Sequence, residues 1–132
     1  MKYMLDTNIC IYIIKKRPVH VLSHLKKQNI EDVCISSVTL AELEYGVQKS
    51  QRIEQNSIAL AEFVVPLDIV SFDENAALHL GKIRAFLEKK GTPIGEYDTM
   101  IAAHALALQV TLVTNNTKEF KRVPKLSIEN WI

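Results

Sequence analysis

The sequence predicts an α/β protein with a central parallel β-sheet flanked by helices on both faces. Three observations carry this. Short apolar runs recur near residues 2–5, 33–35, 66–70, 110–113 and 126–128. The clearest are continuous rather than alternating, as strands covered on both faces are. Stretches with helical spacing or helix caps lie between each of the first four, and parallel strands need such crossovers.

Residues 2–5 form the first strand, and Asp6-Thr7-Asn8, all good cap and turn residues, end it. Apolarity alone leaves Ile9–Ile14 open to strand or buried helix; the break before it makes it a short helix. Pro18 opens a second helix with Val21, Leu22 and Leu25 as its stripe. Val33-Cys34-Ile35 is a buried strand, after which Ser36 or Ser37 caps a helix reaching about residue 48. Another helix covers about 52–64, and Pro66 to Val70 is strand-like. Asp73 caps a long helix with Ala76, Leu80, Ile83 and Leu87 on one face, stopped by Lys89-Lys90-Gly91 and Pro93. Tyr97 to Leu108 is helical, Val110 to Val113 a strand, and Thr114-Asn115-Asn116-Thr117 a polar turn. Leu126 to Ile128 is the last strand.

At 132 residues the chain is expected to be one domain, residues 1–132, with one core. Apolar residues at 48% and charged ones at 23% exclude a disordered class. No apolar stretch approaches the roughly 20 residues that span a bilayer, and Asp6 interrupts any signal-peptide pattern. A cytoplasmic protein with no membrane partner is expected. Cys10 and Cys34 read as buried thiols. The net charge of +1 does not point to nucleic acid. Basic clusters at Lys15-Lys16-Arg17, Lys26-Lys27, Lys89-Lys90 and Lys118 to Lys125 favour a polyanion only weakly.

Ligands of such sheets bind outside the carboxyl ends of the strands. Asp6 ends the first strand and Thr114 to Asn116 end the strand 110–113, so both tips share an edge. Glu42 lies early in the helix after strand 33–35, Asp98 opens the helix 97–108, and Glu119 follows the Asn-rich turn. Carboxylates gathered at one point raise one another's pKa and call for a cation. Oxygen ligands without histidine or cysteine favour Mg²⁺ or Mn²⁺ over zinc. Such a site suits phosphodiester hydrolysis. Each acid also has a plain structural reading. Asp6 is an N-cap, Thr39-x-x-Glu42 fits a capping box, Asp98 complements a helix dipole, and Glu119 is a surface ion pair. His20 and His24 lack the glutamate of a zinc-protease motif, and His104 reads as a packed helical residue.

Met4-Leu5-Asp6-Thr7-Asn8, Ser37 to Leu43, Ile94 to Ala105 and Leu112-Val113-Thr114-Asn115-Asn116 together resemble the PIN-domain family, and more narrowly its VapC-type toxins. The resemblance implies a PIN fold and a Mg²⁺- or Mn²⁺-dependent endoribonuclease that cuts tRNA or another structured RNA and so inhibits translation. By the family motif Asp6, Glu42 and Asp98 carry over as acidic site residues, with Asp6 and Asp98 the principal metal ligands. Many members place an aspartate where this chain has Asn115-Asn116, so Glu119 is the available fourth carboxylate. Asn8, Thr114 and Asn116 match supporting polar positions. A VapB-type antitoxin and a homodimer are the implied partners, with residues 38–47 and 53–60 as candidate contacts. The rival reading is a non-catalytic Mg²⁺-binding signalling or interaction module.

Overall fold

The computed structural model describes residues Met1–Ile132. Five strands, β1 (Tyr3–Leu5), β2 (Val33–Ser36), β3 (Asp68–Val70), β4 (Thr111–Val113) and β5 (Ile128–Glu129), form one sheet in the order β3-β2-β1-β4-β5. Every neighbouring pair is parallel. The helices are α1 (Thr7–Lys15), α2 (Val19–Lys26), α3 (Ser37–Gln48), α4 (Ile53–Val64), α5 (Glu74–Lys89), α6 (Glu96–Leu108) and α7 (Thr117–Phe120). This is the expected α/β architecture.

Two apolar layers explain why the strands are continuously apolar. Met4, Cys34 and Leu112 point to one face and join Ile83, Leu87, Ile101 and Phe120. Leu5, Val33, Ile35 and Val113 point to the other and join Ile9, Ile13, Leu43, Leu60 and Trp131. Successive residues of the central strands serve opposite layers, so both faces ask for apolar side chains.

The chain runs outward from β1 to β2 and β3, then crosses back to β4 on the far side of β1. The strand order therefore reverses between β1 and β4, and open α/β sheets bind ligands at the carboxyl ends beside such a reversal. Asp6 and Thr114 are the first residues beyond those two strands.

Several local expectations shift. Pro18 is the N-cap of α2 rather than its first residue. A 3-10 turn at Ile30–Asp32 precedes β2. The strand-like run 66–70 narrows to Asp68–Val70, two of its three residues exposed, because β3 is an edge with one neighbour. The last strand lies at Ile128–Glu129 instead of 126–128, set by pairing with Leu112 and Val113. The polar turn ends one residue early, at Asn116, because Thr117 opens the four-residue α7.

Candidate active site

Asp6 is 4% exposed at the tip of the central strand. Its Oδ1 accepts the Ile9 N–H at 2.9 Å, which caps α1. The carboxylate also receives the Thr114 hydroxyl. Thr114 is itself fully buried, and its oxygen accepts the Asn116 N–H at 2.9 Å. A relay of donors thus runs from the loop after β4 to Asp6. The cap reading of Asp6 is correct and does not exhaust its role. Burial first, and then Glu42, push its pKa above the ordinary carboxylate range, against the pull of these hydrogen bonds.

Glu42 is no capping-box residue. Ser36 caps α3 by accepting from the Val38 N–H at 3.0 Å. Glu42 sits one turn further on, where its Oε1 accepts the Thr7 hydroxyl at 2.5 Å across 35 positions of sequence. Glu119 lies in α7, and its Oε2 accepts from Asn116 Nδ2 at 3.0 Å. No ion pair engages it.

Asp98 stands in the first turn of α6, after the N-cap Gly95. A Cβ at Gly95 would meet Asp98 Oδ2 at 3.6 Å, an ordinary contact, so the loop packs closely against this carboxylate. Its pKa is pushed up to about 6 by burial first, then by Asp6, Glu119 and Glu42. No hydrogen bond offsets the rise. The fold therefore brings all four acids into one electrostatic cluster at the reversal between β1 and β4.

The donor set suits a hard divalent cation. Every candidate ligand is a carboxylate oxygen, and the mutual repulsion is of the kind that such an ion relieves. No three acidic, histidine or cysteine side chains form a closed ligand set. A cation here would keep water in its shell, as Mg²⁺ does.

Among the supporting residues, Thr114 and Asn116 meet the acids as described, whereas Asn8 is exposed on α1 and makes no hydrogen bond to any of them. Thr7 and Asn8 are 100° apart around α1, and it is Thr7 that reaches α3. Thr7 is the site residue that sequence reasoning missed. Its signal was its place beside Asp6 in the first turn of a helix. Asn115, from the same loop, donates to the Tyr12 hydroxyl at 3.1 Å and fastens the loop to α1. Beside the acids an apolar groove runs between α1, α3 and α4, lined by Ile11, Ile14, Leu43, Val47 and Leu60, with Glu42 among its walls.

Comparison with known proteins agrees with this geometry. Residues 3–126 match the PIN domain family model. The chain is 47% identical, over 99% of its length and 98% of the relative's, to a tRNA(fMet)-specific endonuclease VapC of Salmonella typhimurium. It is 49% identical, with the same coverage of each chain, to Ribonuclease VapC2 of Rickettsia felis. Among solved structures, DNA-bound VapBC from Salmonella typhimurium superposes with a TM-score of 0.95 at 46% identity, covering 100% of this chain and 99% of that one. VapBC2 from Rickettsia felis, bound to a promoter DNA fragment, gives 0.92 at 47% identity with full coverage of both chains. These relatives are named as ribonucleases, which sets aside the non-catalytic alternative. With a family model matched over nearly all of its length and ribonucleases close to half identical along it, the chain belongs to the PIN-domain family and, within it, to the VapC-type ribonuclease toxins.

Proposed function

We propose that this ribonuclease is Mg²⁺-dependent, with Mn²⁺ able to substitute. It hydrolyses phosphodiester bonds of tRNA, which inhibits translation, and a VapB-type antitoxin restrains it. The observation that carries the reading is the Asp98 carboxyl, held up to about 6 by burial and then by three neighbouring acids. A cluster so costly in the metal-free protein is the signature of a site built for a cation.

Asp6 and Asp98 would hold the cation. When bound, it supplies Lewis-acid stabilisation of the phosphate and a lower pKa for attacking water. Glu42 has one oxygen fixed by Thr7 and offers the other to orient that water and take its proton. Asn116 holds Glu119 by its hydrogen bond to Oε2. Water adds in line to phosphorus and the bond to O3′ breaks, leaving a 3′-hydroxyl and a 5′-phosphate. No step needs the 2′-hydroxyl, so the choice of RNA depends on shape and contacts elsewhere. Lys15 in the groove wall, followed by Lys16 and Arg17, is suited to backbone phosphates.

The tRNA substrate is supported by relatives from Salmonella typhimurium and Shigella flexneri, both named as tRNA(fMet)-specific endonucleases. The antitoxin is supported by the VapBC complexes among the solved structures. The apolar groove that ends on Glu42 fits an amphipathic segment of such a partner. A homodimer belongs to the same reading and is checked by light scattering.

The test is cleavage of initiator tRNA by the purified chain with Mg²⁺, with EDTA, and by Asp98→Asn. EDTA should abolish cleavage. Asp98→Asn should slow it by at least ~100-fold while leaving a folded protein. Undiminished cleavage in EDTA would overturn the metal requirement.

A further inference from the structure

His104 lies in the buried middle of α6, six residues beyond Asp98, and is 1% exposed. Its Nδ1 stands 2.8 Å from the Ser36 hydroxyl. Ser36 is both the last residue of β2 and the N-cap of α3, its oxygen already accepting the Val38 N–H. The hydroxyl keeps its hydrogen and a second lone pair for Nδ1, so either ring tautomer closes this bond. The ring meets Phe72 edge-on at 5.4 Å, and the Phe72 N–H donates to Ser37 Oγ at 3.0 Å. Three segments meet at one imidazole: the β2–α3 junction, the link from β3 to α5, and α6.

Stability alone does not explain this residue. Nε2 is buried with no partner, and so is the Thr39 hydroxyl on α3. An apolar side chain of similar size would escape that cost. Its helical neighbours Ile101, Ala102, Ala103 and Ala105 are all buried and apolar. Apolar packing is non-directional and leaves helices free to shift against one another, whereas a hydrogen bond fixes a register. Burial holds the imidazole pKa below its ordinary value, against the pull of Asp73, so the ring stays neutral.

We propose that His104 is a positioning residue of the nuclease site: its bond to Ser36 ties α6, which carries Asp98, to the head of α3, which carries Glu42. This rests on the function proposed above, because those two acids must keep a set spacing for the site to act. Misplacement of reacting groups by about 1 Å can cost on the order of 100-fold in rate. His104 touches neither substrate nor cation and acts only through the two helices.

His104→Leu keeps bulk and removes the hydrogen bond, and His104→Asn restores an amide near the position of Nδ1. Three measurements separate the possibilities: hydrogen exchange of the metal-free protein, Mn²⁺ binding by calorimetry, and steady-state tRNA cleavage. In His104→Leu the first turns of α3 and α6 should exchange ~10-fold faster, and Mn²⁺ should bind ~10-fold more weakly. Its kcat should fall ~100-fold, with KM for RNA within ~3-fold. His104→Asn should recover kcat to within ~10-fold of wild type. Wild-type exchange and kcat in the leucine variant would overturn the proposal, and so would an asparagine variant as poor as the leucine one. If His104→Leu does not fold, Asn against Gln decides: the proposal requires Asn to work and the longer Gln to fail, and equal activity overturns it. A wild-type protein that binds no Mn²⁺ would sink the metal reading, while exchange and kcat would still decide the role of His104.

Discussion

Asp6 and Asp98 differ in how their charge is tolerated. Asp6 is more deeply buried yet takes the Ile9 amide and the Thr114 hydroxyl, whereas Asp98 faces three acids without a hydrogen bond. A carboxyl at about 6 in the folded chain against 3.8 in the reference state binds its proton more tightly when folded. Its contribution to stability is complete below pH 3.8 and is lost as pH rises through about 6. Without metal, Asp98→Asn removes the charge that causes this loss, so Tm at pH 7.5 should rise above wild type while activity disappears. Divalent ions compete with the same proton. The Tm gain from Mg²⁺ should therefore be larger at pH 7.5 than at pH 5, and thermal melts with and without MgCl₂ check both. A Mg²⁺ gain equal at the two pH values would contradict the assignment of Asp98. The acids themselves were legible in the sequence as residue types at helix and strand ends. Thr7 was not, because its partner is 35 positions away and no local pattern predicts that bond.

At the scale of elements, caps were the most readable feature. Asp73 caps α5 by accepting from the Ala76 N–H at 3.0 Å, and Ser36 caps α3 in the same way. The end of α6 is different, because Gln109 takes the left-handed conformation at φ 57° where glycine is the usual residue. Its amide and that of Val110 satisfy the last turn of carbonyls. Gln109→Gly should relieve the backbone and stabilise the protein by about 0.5–1 kcal/mol, less than the full αL cost because glycine also loosens the unfolded chain. Urea unfolding measures this, and a destabilised variant would show that the side chain matters more than the turn. The weakest sequence signals were β3 and β5. Both are edge strands of three and two residues, and their limits depend on Ser36 and Leu112 across the sheet.

In the whole molecule, Trp131 shows how distant segments close one layer. It is fully buried, meets Tyr3 of β1 edge-on at 5.4 Å and stacks on His24 of α2 at 5.7 Å. Its Nε1 donates to Glu129 at 2.9 Å. Trp131→Ala should cost about 3–5 kcal/mol, a large share of the roughly 5–15 kcal/mol that holds a domain of this size together. Its folded fraction should retain wild-type kcat, since Trp131 packs in the apolar layer and bonds none of the four site acids. Urea unfolding combined with single-turnover cleavage tests the two halves. Little in the C-terminal sequence marked this tryptophan as core, because what covers it comes from β1 and α2.

The sequence by itself determined the parallel α/β class, most helix limits and the identity of the four acids. Those depend on local periodicity, capping chemistry and residue type, which act within a few positions along the chain. The tertiary structure alone decided that β1 and β4 are neighbours, that Thr7 rather than Asn8 meets Glu42, and that His104 joins Ser36. Each of those is a contact between segments 35 to 108 positions apart, and only packing of the two apolar layers against the sheet brings such segments together.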